Sequence, residues 1–242
     1  MKTHDLYEHF KSVLFTKRCK YCSSVIDVRD NVCENCENGL SRITGEICLK
    51  CGCEKDICNC KNNRFVYYRS AIAPFYYEGV IKEAIRQFKF LDKPWLAKSF
   101  AEDMAVCFDT LYAGFDFDFC TFVPMHRKSR NQRGYNQSEL LAKEFCKIEN
   151  LPCEDFLVKT ICTETQHQLN LSERTGNILG AIDVKEGVNA AGKRILLIDD
   201  IKTTGATLNE CSKALLIAGA EEVMCLTVAI TKKKTKTDRT KY

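Results

Sequence analysis

The sequence predicts an α/β protein: a mainly parallel sheet with helices on both faces, preceded by a small metal-held module. Three observations carry that prediction. From about residue 65, β-branched and aromatic runs alternate with stretches of helical periodicity, the pattern of strands joined by crossover helices. Residues 19–60 hold nine of the chain's 16 cysteines and few bulky apolar side chains. Near the C-terminus an apolar strand meets two adjacent acids and a small hydroxyl-rich loop, and a helix follows. A chain of 242 residues has room for one large domain, or one domain and a module. The expected division is 1–64 for the lead-in and cysteine module, 65–230 for the α/β domain and 231–242 for a basic, disordered tail.

Each element follows from local pattern. Residues 1–18 form an amphipathic lead-in, with Leu6, Phe10, Val13 and Leu14 at helical spacing. Arg69–Tyr77 is apolar and aromatic enough for a strand. Gly79 opens a helix with Val80, Ile81, Ala84, Ile85 and Phe88 on one face. A second helix spans Trp95–Leu111, and Phe119–Val123 is a short strand ended by Pro124. Asn136–Ile148 is helical, with Leu140, Leu141, Phe145 and Ile148 inward. After a long polar stretch come strand Arg194–Ile198, helix Ala206–Ala218 and strand Val223–Ile230.

Composition narrows the function classes. The chain is 45% hydrophobic and 28% charged with 4 Pro and 12 Gly, which fits a globular protein and excludes a disordered or collagenous one. No apolar run approaches the roughly 18 residues of a membrane span. The opening Met1-Lys2-Thr3-His4-Asp5 leads into no apolar signal core, so a cytoplasmic location is expected. Net charge is +4, but residues 231–242 carry a surplus of five, so the body sums to −1. Generic basicity therefore gives no support to nucleic-acid binding, which would need local patches.

The cysteine spacing is Cys19-x2-Cys22-x10-Cys33-x2-Cys36, then Cys48-x2-Cys51-x6-Cys58-x-Cys60. Each close pair can aim two sulfurs at one tetrahedral ion, and two pairs close a structural site. Two quartets predict two structural Zn ions in a ribbon-like module. The spacing leaves open an interleaved pairing, the replacement of Cys58 or Cys60 by Cys53, and iron–sulfur ligation. A closed shell of four thiolates has scaffolding to offer and no open position for chemistry.

Residues 194–208 read Arg-Ile-Leu-Leu-Ile-Asp-Asp-Ile-Lys-Thr-Thr-Gly-Ala-Thr-Leu. Successive backbone N–H groups and hydroxyls from Thr203, Thr204, Gly205, Ala206 and Thr207 sit at a helix start, a cradle for phosphate. Asp199 and Asp200, at the carboxyl end of a strand, suit paired ribose hydroxyls, where open α/β sheets bind ligands. Singly, each feature is an ordinary capped turn; their adjacency favours a ligand. The segment resembles the phosphoribosyl-pyrophosphate (PRPP) signature of type I phosphoribosyltransferases. The resemblance implies that Asp199 and Asp200 hold the ribose hydroxyls while Lys202–Thr207 take the 5′-phosphate, with Lys202 at a variable position of the motif.

A basic segment, Arg127-Lys128-Ser129-Arg130-Asn131-Gln132-Arg133, follows the strand ending at Pro124 and reads as a loop. Four cations in seven residues suit a pyrophosphate, Arg through bidentate contacts. With Gly134-Tyr135-Asn136-Gln137, and with Gln166, Leu169, Arg174 and Asn177 further on, it resembles the ComF family, which joins a double zinc ribbon to a phosphoribosyltransferase domain. The resemblance implies PRPP with Mg as ligand, and transfer of phosphoribose to an acceptor it does not name. It assigns leaving-group charge to Arg133, Arg127 and Lys128, and hood closure to Arg174. It also implies an association with DNA uptake in competence, with single-stranded DNA and uptake proteins as partners. The alternative function is a non-catalytic competence factor that binds single-stranded DNA under PRPP or nucleotide control, with Tyr67, Tyr68, Tyr76 or Tyr77 stacking bases. With no cysteine at residue 1, a complete glutamine amidotransferase is not expected. His126 and His167 are read as ordinary polar residues.

Overall fold

A computed structural model describes residues 17–58, 60, 65–91, 93–159 and 182–232. Lead-in residues 1–16, the stretch holding Gln166, His167, Leu169, Arg174 and Asn177, and tail residues 233–242 lie outside them.

Five strands form one all-parallel sheet: β1 (Ser70–Ile72), β2 (Phe75–Tyr76), β3 (Phe119–Phe122), β6 (Arg194–Lys202) and β7 (Glu222–Ile230). The order is β1-β7-β6-β3, with β2 also on β7. The expected single strand Arg69–Tyr77 is two, because Pro74 has no N–H to give the ladder. Its carbonyl accepts from Ile43 N–H at 2.9 Å, so residues 41–43 flank β2 as an antiparallel edge.

Side chains alternate along the strands and build a core on each face. One face packs Leu196, Ile198, Met224 and Leu226 against α2 (Gly79–Phe90), α3 (Leu96–Leu111) and α5 (Gln137–Glu149). The other packs Ile195, Leu197, Val223 and Cys225 against α6 (Ala206–Ile217) and the antiparallel pair β4 (Leu157–Lys159) and β5 (Ile182–Val184). Helices on both faces of a parallel sheet are the fold class the sequence predicts. The β4–β5 pair was not foreseen, since three-residue strands carry too little periodicity. On α2, Ile81, Ala84, Ile85 and Phe88 are buried as expected. On α5, Leu141 and Phe145 are buried, but Ile148 is 46% exposed; the helix turns that position outward near its end.

The cysteine region contains α1 (Glu34–Asn38) and shares a core with the α/β domain. Tyr21 is buried edge-on against Phe75, its ring centroid 6.3 Å away. Its hydroxyl donates to Asp103 on α3 at 2.6 Å, and Lys20 Nζ lies 2.7 Å from the other oxygen of the same carboxylate. At the far terminus, Thr231 N–H donates to Lys202 O and Lys232 pairs with Glu78, so the chain is still anchored where the basic tail was expected to begin. Among the described residues no helix is long and apolar enough to cross a membrane.

Candidate functional site

Strand β6 does not stop at its acids. Its ladder with β7 continues through Asp199↔Thr227, Ile201↔Ala229 and Lys202↔Ile230, so both carboxylates project from inside the strand's last turn of pleat. Two helices hold them. Ser138, in the first turn of α5, donates its hydroxyl to Asp199 Oδ1 at 2.8 Å. Lys89, in the last turn of α2, sets its ammonium 2.7 Å from Asp200 Oδ2. Loss of hydration and the neighbouring Asp200 charge push the Asp199 carboxyl up to about 7, against the opposing pull of Lys89 and Ser138. Neither Lys89 nor Ser138 was legible as a site residue, because each is brought in from a distant helix.

The following loop reaches α6 at Gly205, whose φ of +80° is left-handed. Thr203 and Thr204 are exposed, and Thr204 Oγ1 accepts from Ala206 N–H at 3.3 Å. Gly205, the N-cap residue, has no side chain to offer, so beyond the Ala206 N–H held by Thr204 the first turn keeps the positive dipole end that favours an anion. A side chain at Gly205 would meet Tyr68 Oη at 3.0 Å and Lys202 Cε at 3.4 Å. Lys202 itself is buried, and its ammonium donates to the Cys51 carbonyl at 3.0 Å. It thus points into the cysteine region, away from the exposed side of the loop.

The basic segment is helical. Arg127–Arg133 forms α4, capped by His126 Nδ1 accepting from Lys128 N–H at 3.2 Å and ended by Gly134 at φ +82°. Its cations diverge. Arg127 opens with Lys159 and Lys185 on a hollow of about 460 Å³ floored by Phe122, Met125 and Leu157. Arg130 pairs with Glu139 at 3.1 Å, and Lys128 is exposed. Arg133 lies on a second hollow of about 640 Å³ shared with Lys89. Its guanidinium stacks over the Phe90 ring at 4.9 Å and donates to Gln137 Oε1 at 3.1 Å. The rest of the Arg133–Gln137 box is architectural. Tyr135 donates to Phe88 O, while Asn136 caps α5 and donates to Val123 O at 3.0 Å. Gln137 is buried with its Nε2 unpaired. Arg174 falls outside the described residues. Of the tyrosines expected to stack bases, Tyr68 and Tyr76 are buried; among the described residues the exposed aromatics are Phe65, Phe90 and Trp95.

The cysteines group sequentially: Cys19, Cys22, Cys33 and Cys36 in one quartet, Cys48, Cys51, Cys58 and Cys60 in the other, with all sulfurs of each within 4.8 Å of one another. A tetrahedral ion bound at about 2.3 Å separates its sulfurs by about 3.8 Å. The pairs Cys22–Cys33 at 3.6 Å, Cys51–Cys58 at 3.5 Å and Cys48–Cys60 at 3.8 Å match that spacing. Each quartet can hold one metal ion, and the interleaved pairing is excluded. Cys53 belongs to neither quartet; it is buried with Ile43, Ala73, Tyr76 and Ile230.

Comparison with known proteins agrees with this arrangement. The family model of the phosphoribosyl transferase domain matches residues 158–242. Competence protein ComFC of Streptococcus pneumoniae is 33% identical over 83% of this chain and 90% of its own length. ComFC of Bacillus subtilis is 29% identical, over 78% of this chain and 80% of its own. Competence protein F of Haemophilus influenzae is 27% identical, over 86% and 95%. A solved glutamine PRPP amidotransferase from B. subtilis overlays 55% of this chain and 26% of that one at 21% identity, with a TM-score of 0.38. A cysteine-quartet module joined to a parallel sheet with this acid-pair loop, and relatives matched over most of their length, lead to one conclusion: the chain belongs to the ComF family.

Proposed function

We propose that this protein binds PRPP at the end of β6 and transfers its phosphoribosyl group to an acceptor. One observation carries the reading: two adjacent carboxylates, each held by a different helix, stand directly before a helix start that has no side-chain cap from its N-cap residue. Asp199 and Asp200 would take the ribose hydroxyls, and Thr203–Thr207 the 5′-phosphate. In the reaction the bond from C1 to the diphosphate breaks with its electron pair leaving on oxygen. The acceptor's lone pair forms the new bond to C1, and its proton is released. Positive charge gathers on the ribose and negative charge on the leaving group, so the protein's part is placement and electrostatics. Arg133 and Lys89, on one hollow, are the described cations best placed for the leaving group, with Arg127, Lys128 and Arg174 as further candidates.

The paired carboxylates offer the hard oxygen donors that Mg²⁺ prefers, and Mg²⁺ would supply charge neutralisation on the diphosphate. The two thiolate quartets suit structural Zn²⁺, leaving no open position. We also assign residues 1–64 to the metal-held module, 65–230 to the transferase-like domain and 231–242 to the basic tail. The competence names of the relatives support a role in competence, and DNA-uptake proteins are the partners this reading implies.

The test is thermal unfolding with PRPP and Mg²⁺. The ligand should raise the melting temperature of the native protein by several degrees and leave the Asp199→Ala, Asp200→Ala double variant unmoved. No rise with the native protein would end the PRPP reading.

A second reading has its own observation. Phe90 and Trp95 are exposed at 64% and 58%, and Phe90 lies under Arg133, the mixture of stacking face and cation that suits single-stranded DNA. Binding that weakens steeply with salt and survives loss of both acids would favour that surface, with PRPP as a regulator.

A further inference from the structure

The sequence places Lys202 in the phosphate loop, and the fold puts it to another use. Its side chain leaves the end of β6, passes beneath Gly205 and ends on the Cys51 carbonyl at 3.0 Å. Cys51 is a member of the second quartet. The loop rests on this side chain, since Lys202 Cε lies 3.4 Å and Tyr68 Oη 3.0 Å from where a Gly205 Cβ would stand.

The turn carrying Cys51 is pressed onto the same end of the sheet at two further points. Leu49 O accepts from Ala71 N–H at 2.8 Å. At Gly52, a Cβ would lie 2.6 Å from Ala71 O and 2.2 Å from Ile230 Cδ1, so only glycine permits the approach. Ile230 is in turn the ladder partner of Lys202. The first quartet is docked elsewhere, through Tyr21 and Lys20 on Asp103 of α3. The two quartets are therefore not equivalent: the second forms part of the floor under the candidate phosphate loop.

We infer that Lys202 is a positioning residue that couples metal at the second quartet to anion binding at the start of α6. Free, the lysine ammonium would compete for the anion; bound to Cys51 O, it fixes the end of β6 so that the Thr203–Thr207 donors keep their placement. A metal ion holds the Cys51 carbonyl in position by fixing its sulfur. By linkage, an anion in the loop must then tighten metal binding at that quartet, and slower metal release is the expected sign of it. The inference rests on the PRPP reading for the identity of the anion, and on the contacts above for the coupling.

The experiment follows metal release from the zinc-loaded full chain into a colorimetric chelator, with and without PRPP and Mg²⁺. Two phases are expected, one per quartet. Lys202→Met should speed one phase about fivefold or more and leave the other at the native rate, which also reports an intact fold. Lys202→Arg, which keeps a donor of similar reach, should restore most of the difference. PRPP should slow the same phase in the native protein and have little effect on it in Lys202→Met. Native release rates in Lys202→Met would overturn the coupling, and so would equal protection by PRPP in both proteins. Faster release in Lys202→Met, with PRPP inert even toward the native protein, would uphold the Lys202–Cys51 strut and reject PRPP as the ligand. The failures of the two readings are thus distinct.

Discussion

The ammonium of Lys89 lies 2.7 Å from a carboxylate oxygen of Asp200, joining the last turn of α2 to the end of β6. Both side chains are largely out of solvent, at 22% and 11% exposure, so the pair is harder to lose than a surface one. It occupies the place where a ribose hydroxyl is proposed to bind, and it keeps two neighbouring carboxylates from standing unbalanced.

Lys89→Met should accordingly destabilise the unliganded protein by about 2 kcal/mol in denaturant unfolding at pH 8, because it leaves Asp200 without its cation. The same variant should gain more from Mg²⁺ than the native protein does. Equal stability of the two proteins would show that the pair has no energetic weight.

Asp199 sets a pH dependence whose sign is fixed by its raised pKa. The unfolded chain releases this proton near pH 4, whereas the folded protein keeps it up to about 7. Between those values the folded state holds more protons, so stability falls as pH rises and the full stabilisation survives only below about 4. Asp199→Asn should flatten that slope between pH 5 and 8, measured by urea midpoints. PRPP binding should strengthen over the same rise, as the carboxylate needed for the ribose ionises.

Gly205→Ala should cost about 1–3 kcal/mol and weaken PRPP binding sharply. The backbone there is left-handed at φ +80°, and the added methyl meets Tyr68 Oη at 3.0 Å. Thr204→Ala, which loses only the 3.3 Å contact to Ala206 N–H, should cost less than 1 kcal/mol of stability, of the size of one weak cap. Calorimetry on both variants checks the order.

Metal analysis should find two zinc ions per chain, one for each quartet. Tyr21→Phe should keep both but lower stability by about 1–2 kcal/mol, since Asp103 loses the hydroxyl donating at 2.6 Å. A chelator should unfold the cysteine region first, because its own sequence supplies few bulky apolar side chains to hold it once the ions leave.

The sequence made legible whatever depends on neighbours along the chain. The face of α2 with Ile81, Ala84, Ile85 and Phe88 follows from helical spacing, and the quartets follow from the Cys-x-x-Cys turns. The acid-pair loop was readable for the same reason, as strand, loop and helix start are contiguous. What escaped depends on partners far away. Two acids look like a strand's end until β7 supplies Thr227 and Ala229 to continue the ladder. Lys89 and Ser138 meet the acids only through the packing of α2 and α5, and Lys202 turns away from its own loop because Cys51 offers a carbonyl. The basic segment reads as a loop by its charge, yet its Arg, Lys and Gln residues are good helix formers and His126 and Gly134 cap both ends.

The placement of β7 bears on how such a chain is made. Among the described residues it is the last strand in the chain, yet β1, β2 and β6 all pair with it. Until residues 222–230 emerge, β1 and β2 have no parallel neighbour, and the β3–β6 pair presents a bare edge. Assembly of the full sheet must therefore wait until residue 230 has been made, and a transcript cut short before that point would yield a sticky fragment in place of a smaller working protein.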